Sequence, residues 1–461
     1  MTGKTKLSIT FHGGVGSVTG ANFLLADDGP QEKKILIDCG FFQGSRVAEK
    51  KNREPFPYDP KEIDTLIITH AHLDHIGRIP KLVHDGFRGP IYSTPPTRDI
   101  TELSLTDSLG VLTKEAKGSK EPIIYNKVDV ERSMKQWKTV DYHQEFELGD
   151  WQVSLLDAGH ILGSAMIRFV HQPSGKVFVF TGDLGNSPSL LLRDTEVVAD
   201  ADYLVMESVY GDRNHENHEV ALAKLEDVIE DTVNAQGTLM VPAFSIERTQ
   251  ELLHEIEKMV EGSRIPVVPV FLDSPLAIKV TDIYSRYLDY LNKEVNELIN
   301  KGNAIFRFPQ LHRTLKTSES KAIAGIEGPK IIIAGSGMSN GGRIIHHEKR
   351  FLADPKSALL LVGYQAAGSL GRQLEDGAKW VKILGEDVPV RARTVVISGY
   401  SAHKGSDDLF GFVSHSADKV KKVFVTMGEP HSSLFLVQRL RDYLGIDATM
   451  PEPGQQFEVE V

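Results

Sequence analysis

The tightest constraint on this chain is the hexapeptide His70-Ala71-His72-Leu73-Asp74-His75, set directly behind the apolar run Thr65-Leu66-Ile67-Ile68-Thr69. The run reads as a short buried strand, so four metal-type side chains fall in the turn at a strand end. Borderline cations such as zinc favour neutral imidazole, and a carboxylate completes or bridges the set. The spacing lets one turn serve two neighbouring ions, with His70 and His72 facing one and Asp74 and His75 the other. Two ions roughly 3.5–4 Å apart can activate a shared water and support in-line displacement at phosphorus. The competing reading is a solvated His-rich turn. It accounts for a single histidine more readily than for three and an aspartate in six residues.

The surrounding sequence supplies a sheet to carry such a turn. Strand-like runs at 34–38, 65–69, 90–93, 151–157, 165–170 and 177–180 alternate with Gly-rich turns. Ligand-type residues recur just after them, as in Leu155-Leu156-Asp157-Ala158-Gly159-His160 and Phe178-Val179-Phe180-Thr181-Gly182-Asp183. Reactive groups on loops at strand ends are the usual arrangement of sheet-scaffolded enzymes. From about residue 205 the texture changes. Leu222, Leu225, Ile229 and Val233 form one helical stripe. Leu252, Leu253, Ile256, Met259 and Val260 form another, with Ser245 expected as its N-cap and Gly262 as its stop. Apolar runs at 237–241, 266–272, 330–334 and 358–362 lie between and after the helices, which suggests an α/β unit with a largely parallel sheet. Strand texture with ligand-type residues returns at 394–398 and 422–427.

Composition narrows the class further. The chain has 461 residues, enough for two or more domains and a large core. The net charge of −11 argues against a broadly basic nucleic-acid binder, though not against a local basic groove. Metal-binding carboxylates also inflate that negative count, because bound cations offset them. Cys39 is the single cysteine, which excludes an intrachain disulfide and suits a reducing compartment. No secretory h-region and no apolar run approaching a membrane span is present, so a cytoplasmic protein without membrane partners is expected.

The order HxHxDH, then His160, then Asp183 resembles the metallo-β-lactamase superfamily, and Asp38 in Ile35-Leu36-Ile37-Asp38-Cys39-Gly40 matches that superfamily's first motif. Asp38 is expected to orient a ligand His or the turn from behind. Met206-Glu207-Ser208-Val209-Tyr210-Gly211, the segment 333–343, the segment 362–372 and Ile397-Ser398-Gly399-Tyr400-Ser401-Ala402-His403 resemble motifs of the β-CASP nucleases, which include the cleavage-and-polyadenylation endonuclease and its prokaryotic relatives. The resemblance implies an αββα sandwich with an α/β cap inserted in its second half. The expected bounds are 1–205 for the first part of the sandwich, 206–394 for the cap and 395–461 for the return.

It further implies hydrolysis of phosphodiesters, with two zinc ions or manganese in their place. His70, His72, His160 and Asp183 would hold one ion, and Asp74 and His75 would serve the other. His403 would act as general acid, oriented and kept protonated by Glu207, with Asp74 the third residue of the catalytic set. Ser336, Gly337 and Arg343 of the Gly-rich segment would hold substrate phosphate, although such a loop can also serve only its own turn geometry.

Two departures qualify the resemblance. Met427, in Val425-Thr426-Met427-Gly428-Glu429-Pro430-His431, stands where the family usually has a further ligand His. A thioether is a poor zinc ligand beside imidazole, so the second ion is expected to be held weakly, or completed by water or by His431. An aliphatic residue at this position goes with DNA-acting members. Lys404-Gly405 is the second departure, where relatives usually have a small residue and Asp. The reading is a single-stranded RNA nuclease involved in RNA processing or decay. A single-stranded DNA nuclease and a weakly active scaffold subunit are the alternatives, and the homodimer is left open.

Overall fold

The structure is a computed structural model that describes residues 6–29, 32–44, 46–116, 123–302, 304–363, 365–366 and 368–460. Tyr364 and Ala367, within the segment 362–372, lie outside the described residues. The chain forms two compact units. The first contains Met1–Asn214 and His403–Val461, and the second contains His215–Ala402. Both boundaries fall later than the sequence placed them. Arg393–Ile397 pairs in parallel with Ala358–Val362 and so belongs to the second unit, and Glu207 stays with the first.

Two seven-stranded sheets build the first unit. One runs in the order Gln456–Glu460, Lys6–Gly13, Asn22–Asp27, Lys34–Ile37, Thr65–Ile67, Ile91–Ser93, Trp137–Thr139. The other runs Ala448–Thr449, Lys422–Val425, Tyr203–Met206, Lys176–Phe180, Ala165–His171, Trp151–Asp157, Phe146–Leu148. The period-2 alternation of side chains decides how they pack. Ile35 and Ile37 face one way, joining Ile9, Phe11, Trp151, Phe169, Phe178, Phe180 and Phe424 in a core shared by both sheets. Leu36 faces the other way, against Ile76, Ile79, Leu82 and Leu105 of the covering helices. In the second sheet Val177 and Val179 point outward to Leu409, Val413, Leu436 and Leu440 of helices Ser406–Ser414 and Pro430–Leu444. The layers are therefore helix, sheet, sheet, helix, as the sequence led one to expect.

The second unit carries a parallel six-stranded sheet in the order Leu311–Arg313, Val270–Leu272, Lys330–Ala334, Thr238–Pro242, Ala358–Val362, Arg393–Ile397. Its four inner strands read as near-continuous apolar runs because both faces are covered, while the edge strands Leu311–Arg313 and Arg393–Ile397 are more exposed. Ala221, Leu225, Val228 and Ile229 form the buried stripe of helix His218–Asn234, while Leu222 and Val233 lie at its margins. Helix Arg248–Glu261 ends at Gly262 as anticipated. It begins later than Ser245 would allow, because Glu247, at φ 66°, breaks the helical path just before Arg248. Among the described residues no helix is long and apolar enough to cross a membrane.

Candidate metal centre

The strand Thr65–Ile67 delivers the hexapeptide to one end of the first unit's first sheet, and a single helical turn, Leu73–Ile76, follows at once. Backbone bonds from two segments, at Ala21 and at 39–41, clasp this turn. Ala21 N donates to Asp74 O (2.9 Å), Cys39 N to His75 O (2.7 Å) and Phe41 N to Leu73 O (2.8 Å). The second sheet contributes His160 after Trp151–Asp157 and Asp183 after Lys176–Phe180. Donor atoms of His70, His72, His160 and Asp183 lie within 4.8 Å of one another. Asp183 is central: Oδ2 is 3.4 Å from His70 Nε2 and 3.6 Å from His160 Nε2, while Oδ1 is 3.4 Å from His75 Nε2.

These residues fit a metal. His75 Nε2 and Asp183 Oδ1 are fully buried, face one another and have no hydrogen-bond partner, a situation that a shared cation resolves. Burial, with the neighbouring imidazoles, holds His72 and His160 well below the ordinary histidine value, in the neutral form that a metal requires. At His75 burial acts in the same sense, but Asp183 and Asp38 outweigh it and raise the value. Asp183 is held well below the usual carboxylate range despite its burial, by His75 and His70. Asp74 is peripheral, with Oδ2 3.9 Å from His75 Nε2, and burial raises its carboxyl.

Asp38 lies behind the ligands, fully buried and at φ 57°. Its carboxylate accepts from Thr69 N and Thr69 Oγ1, each at 2.8 Å, and from His75 Nδ1 at 2.7 Å. Thr69 Oγ1 is in turn 3.0 Å from His70 Nδ1. One carboxylate thus fixes the ring orientation of His75 directly and of His70 through a hydroxyl. Thr69 escaped the sequence reading, although its place immediately before His70 was a signal.

Beside the cluster, His403 Nδ1 lies 3.1 and 3.3 Å from the two oxygens of Glu207. Glu207 is itself fixed by Leu184 N (2.6 Å), and His403 by a backbone bridge to Gly185. Asp183, Glu207 and His403 offer donor atoms within 4.8 Å of one another, and the His403 ring centroid is 4.6 Å from that of His160. Burial lowers the His403 imidazole, but Glu207 outweighs it and lifts the value to about 9. Lys404 turns aside to Ser187 Oγ at 3.2 Å.

The remaining sequence candidates lie elsewhere. Met427 is buried in the sandwich core, and a Cβ on Gly14 would be 2.5 Å from its Sδ. His431 is 82% exposed and 3.7 Å from Asp212, so it is not brought into the cluster. Ser336, Gly337 and Arg343 belong to the second unit. Ser336 Oγ accepts from Asn340 N, and Gly337 O accepts from Gln365 Nε2. Arg343 directs three bonds within its unit, donating to Asp273 Oδ1 (2.7 Å), Thr314 O and Leu315 O (2.8 Å each). Asp273 also receives His347, Ser320 and Thr314, and these bonds overcome burial to hold its carboxyl at about 2. It follows the run Val270–Leu272 as Asp183 follows Lys176–Phe180, a parallel the sequence reading did not use.

Comparison with known proteins agrees with this geometry. Residues 24–183 match a metallo-β-lactamase superfamily domain, 249–374 a Beta-Casp domain, and 387–451 a Zn-dependent metallo-hydrolase RNA specificity domain. Ribonuclease TTHA0252 of Thermus thermophilus is 38% identical over 401 residues, covering 87% of this chain and 89% of its own. The chain belongs to the β-CASP family of the metallo-β-lactamase superfamily. An RNase J-like protein of Methanocaldococcus jannaschii is 31% identical, covering 97% of this β-CASP chain and 98% of its own. Transcription termination factor FttA of Methanosarcina mazei is 32% identical over 95% of this chain and 69% of its own. A crystal structure of a protein of unknown function from Enterococcus faecalis shares the fold, with a TM-score of 0.55, 14% identity and coverage of 98% of this chain and 100% of its own.

Proposed function

We propose that this chain is a metal-dependent ribonuclease that hydrolyses phosphodiesters in single-stranded RNA. The observation that carries the reading is the convergence of His70, His72, His160 and Asp183 beside a histidine held by a buried glutamate. Two zinc ions, replaceable by manganese, would supply an activated water and charge stabilisation at phosphorus. His70, His72, His160 and Asp183 would hold the first ion, and His75 and Asp74 would serve the second. His403, held at Nδ1 by Glu207, would deliver a proton to the leaving oxygen. Glu207 fixes the ring and favours its charged form. Ser336, Gly337 and Arg343 are the residues proposed to meet the RNA backbone, Arg343 being anchored to Asp273, Thr314 and Leu315.

RNA is preferred over single-stranded DNA because the relatives are named for ribonuclease action and the 387–451 match for RNA specificity. A scaffold role is disfavoured by the complete set of six candidate ligands. The test combines elemental analysis with cleavage of matched RNA and DNA strands. One to two equivalents of zinc or manganese and cleavage of RNA are expected. Full activity in metal-free protein, or cleavage of DNA alone, would overturn the assignment.

A further inference from the structure

Asn22 begins the strand Asn22–Asp27 and is 1% exposed. Its Nδ2 donates to the main-chain carbonyl of Asp38 at 2.8 Å, and its Oδ1 accepts from Tyr58 OH at 3.1 Å. Neither contact belongs to the ladder that this strand makes. The first of them reaches a residue under conformational tension, and the second holds the amide that makes it. Asp38 is a non-glycine at φ 57°, a region that costs of order 1–3 kcal/mol and persists only where the surroundings over-determine it. In that conformation its carboxylate reaches Thr69 and His75 at once.

We infer that Asn22 and Tyr58 are positioning residues for the metal ligands, acting through Asp38. The inference rests on the metal-site reading above. The chain of contacts is continuous: Tyr58 OH to Asn22 Oδ1, Asn22 Nδ2 to Asp38 O, Asp38 Oδ2 to His75 Nδ1, and Asp38 Oδ2 to Thr69 Oγ1, which meets His70 Nδ1. The Asn22 amide closes off the carbonyl that would otherwise drive Asp38 back toward extended backbone. Its carboxylate then accepts Nδ1–H of His75, which leaves Nε2 as the lone-pair nitrogen facing Asp183. Through Thr69 the same carboxylate presents His70 Nε2 to the first ion. The Asp38 carbonyl can only accept, so it sets the amide with Nδ2 towards it and Oδ1 towards the Tyr58 hydroxyl, whose bond adds to that hold. His72 joins this chain of contacts through His70, whose Nε2 is 3.1 Å from His72 Nδ1, and His160 through His72, at 3.3 Å, so smaller changes at these two rings are the internal control.

The test uses the full chain with ¹⁵N-labelled histidine and the variants Asn22→Leu and Tyr58→Phe. Ring signals of His70 and His75 are expected to shift or broaden in Asn22→Leu by more than that of His160. Affinity for added zinc or manganese is expected to fall about 10–100-fold. Tyr58→Phe, which removes one hydroxyl and spares the fold, is expected to lower it about two- to tenfold. Unchanged His70 and His75 signals with unchanged metal affinity in both variants would overturn the proposal. So would a lowered melting temperature with normal ring signals, since that is a merely structural role. If the natural protein bound no metal, the functional reading would fail, whereas the ring signals would still decide the relay.

Discussion

Gly40 gives the sharpest test of how the ligand turn is held. A Cβ at this position would lie 1.4 Å from Asp74 O, 2.0 Å from Asp74 C and 2.7 Å from His75 N. Ordinary contact begins near 3.4 Å, so the turn or the 38–41 segment must move by about 2 Å (3.4 less 1.4). Neither can move alone. Gly40 N donates to Ala21 O, Ala21 N donates to Asp74 O, and Cys39 N donates to His75 O. Gly40→Ala therefore breaks about two of these bonds and overpacks a buried joint, for a cost of about 3–5 kcal/mol. Asp74 and His75 would shift well beyond the roughly 0.5 Å that a functional constellation tolerates, so cleavage should fall about 10²-fold or more. Thermal unfolding, metal content after dialysis and RNA cleavage are the measurements. Gly110→Ala is the control: nothing lies within 4 Å of its Cβ position inside helix Pro95–Ala116, and it should be neutral or slightly stabilising. Gly40→Ala protein with natural stability and a natural metal complement would refute the claim that this backbone clasp sets the ligand geometry.

Three further outcomes are expected. His403→Ala should lower cleavage about 10²–10⁴-fold while metal content, read by elemental analysis, stays as it was; loss of metal would make His403 a ligand. Met427→Ala should cost about 2–5 kcal/mol by emptying a core site and leave metal affinity unchanged; a lost ion at unchanged stability would make the thioether a ligand. Glu348 is buried with Oε2 unpartnered, and burial lifts its carboxyl from 4.5 to about 7. The folded state thus prefers the protonated acid, so stability is full below pH 4.5 and is lost as pH rises towards 7, by about 3 kcal/mol. Glu348→Gln should flatten that part of the denaturation-versus-pH curve, and an unaltered slope would place the titration elsewhere.

The metal cluster was legible because its information is local. An apolar run fixes a strand, the strand fixes where its last residue emerges, and the ligands follow within a few positions, as at His70, His160 and Asp183. The layer order was legible for a similar reason, since alternation in runs such as 34–37 and 177–180 assigns each side chain to the core or the helices. What the sequence could not display is contact between distant segments. Asn22 to Asp38 spans 16 positions, Asp38 to Thr69 31 and Glu207 to His403 196. The same limit explains the boundary at His403. The run 393–397 has strand texture in any sheet, and only its pairing with Ala358–Val362 assigns it to the second unit. Arg343 shows the complementary case. A basic residue after a Gly-rich loop invites a phosphate, yet three acceptors of its own unit, including buried Asp273, already surround the guanidinium. Charge in a sequence counts what a surface could offer; the partners that a fold supplies decide what it still has to give. By that reasoning, His75 and His70, whose Nδ1 atoms meet Asp38 and Thr69, turn their Nε2 atoms towards Asp183.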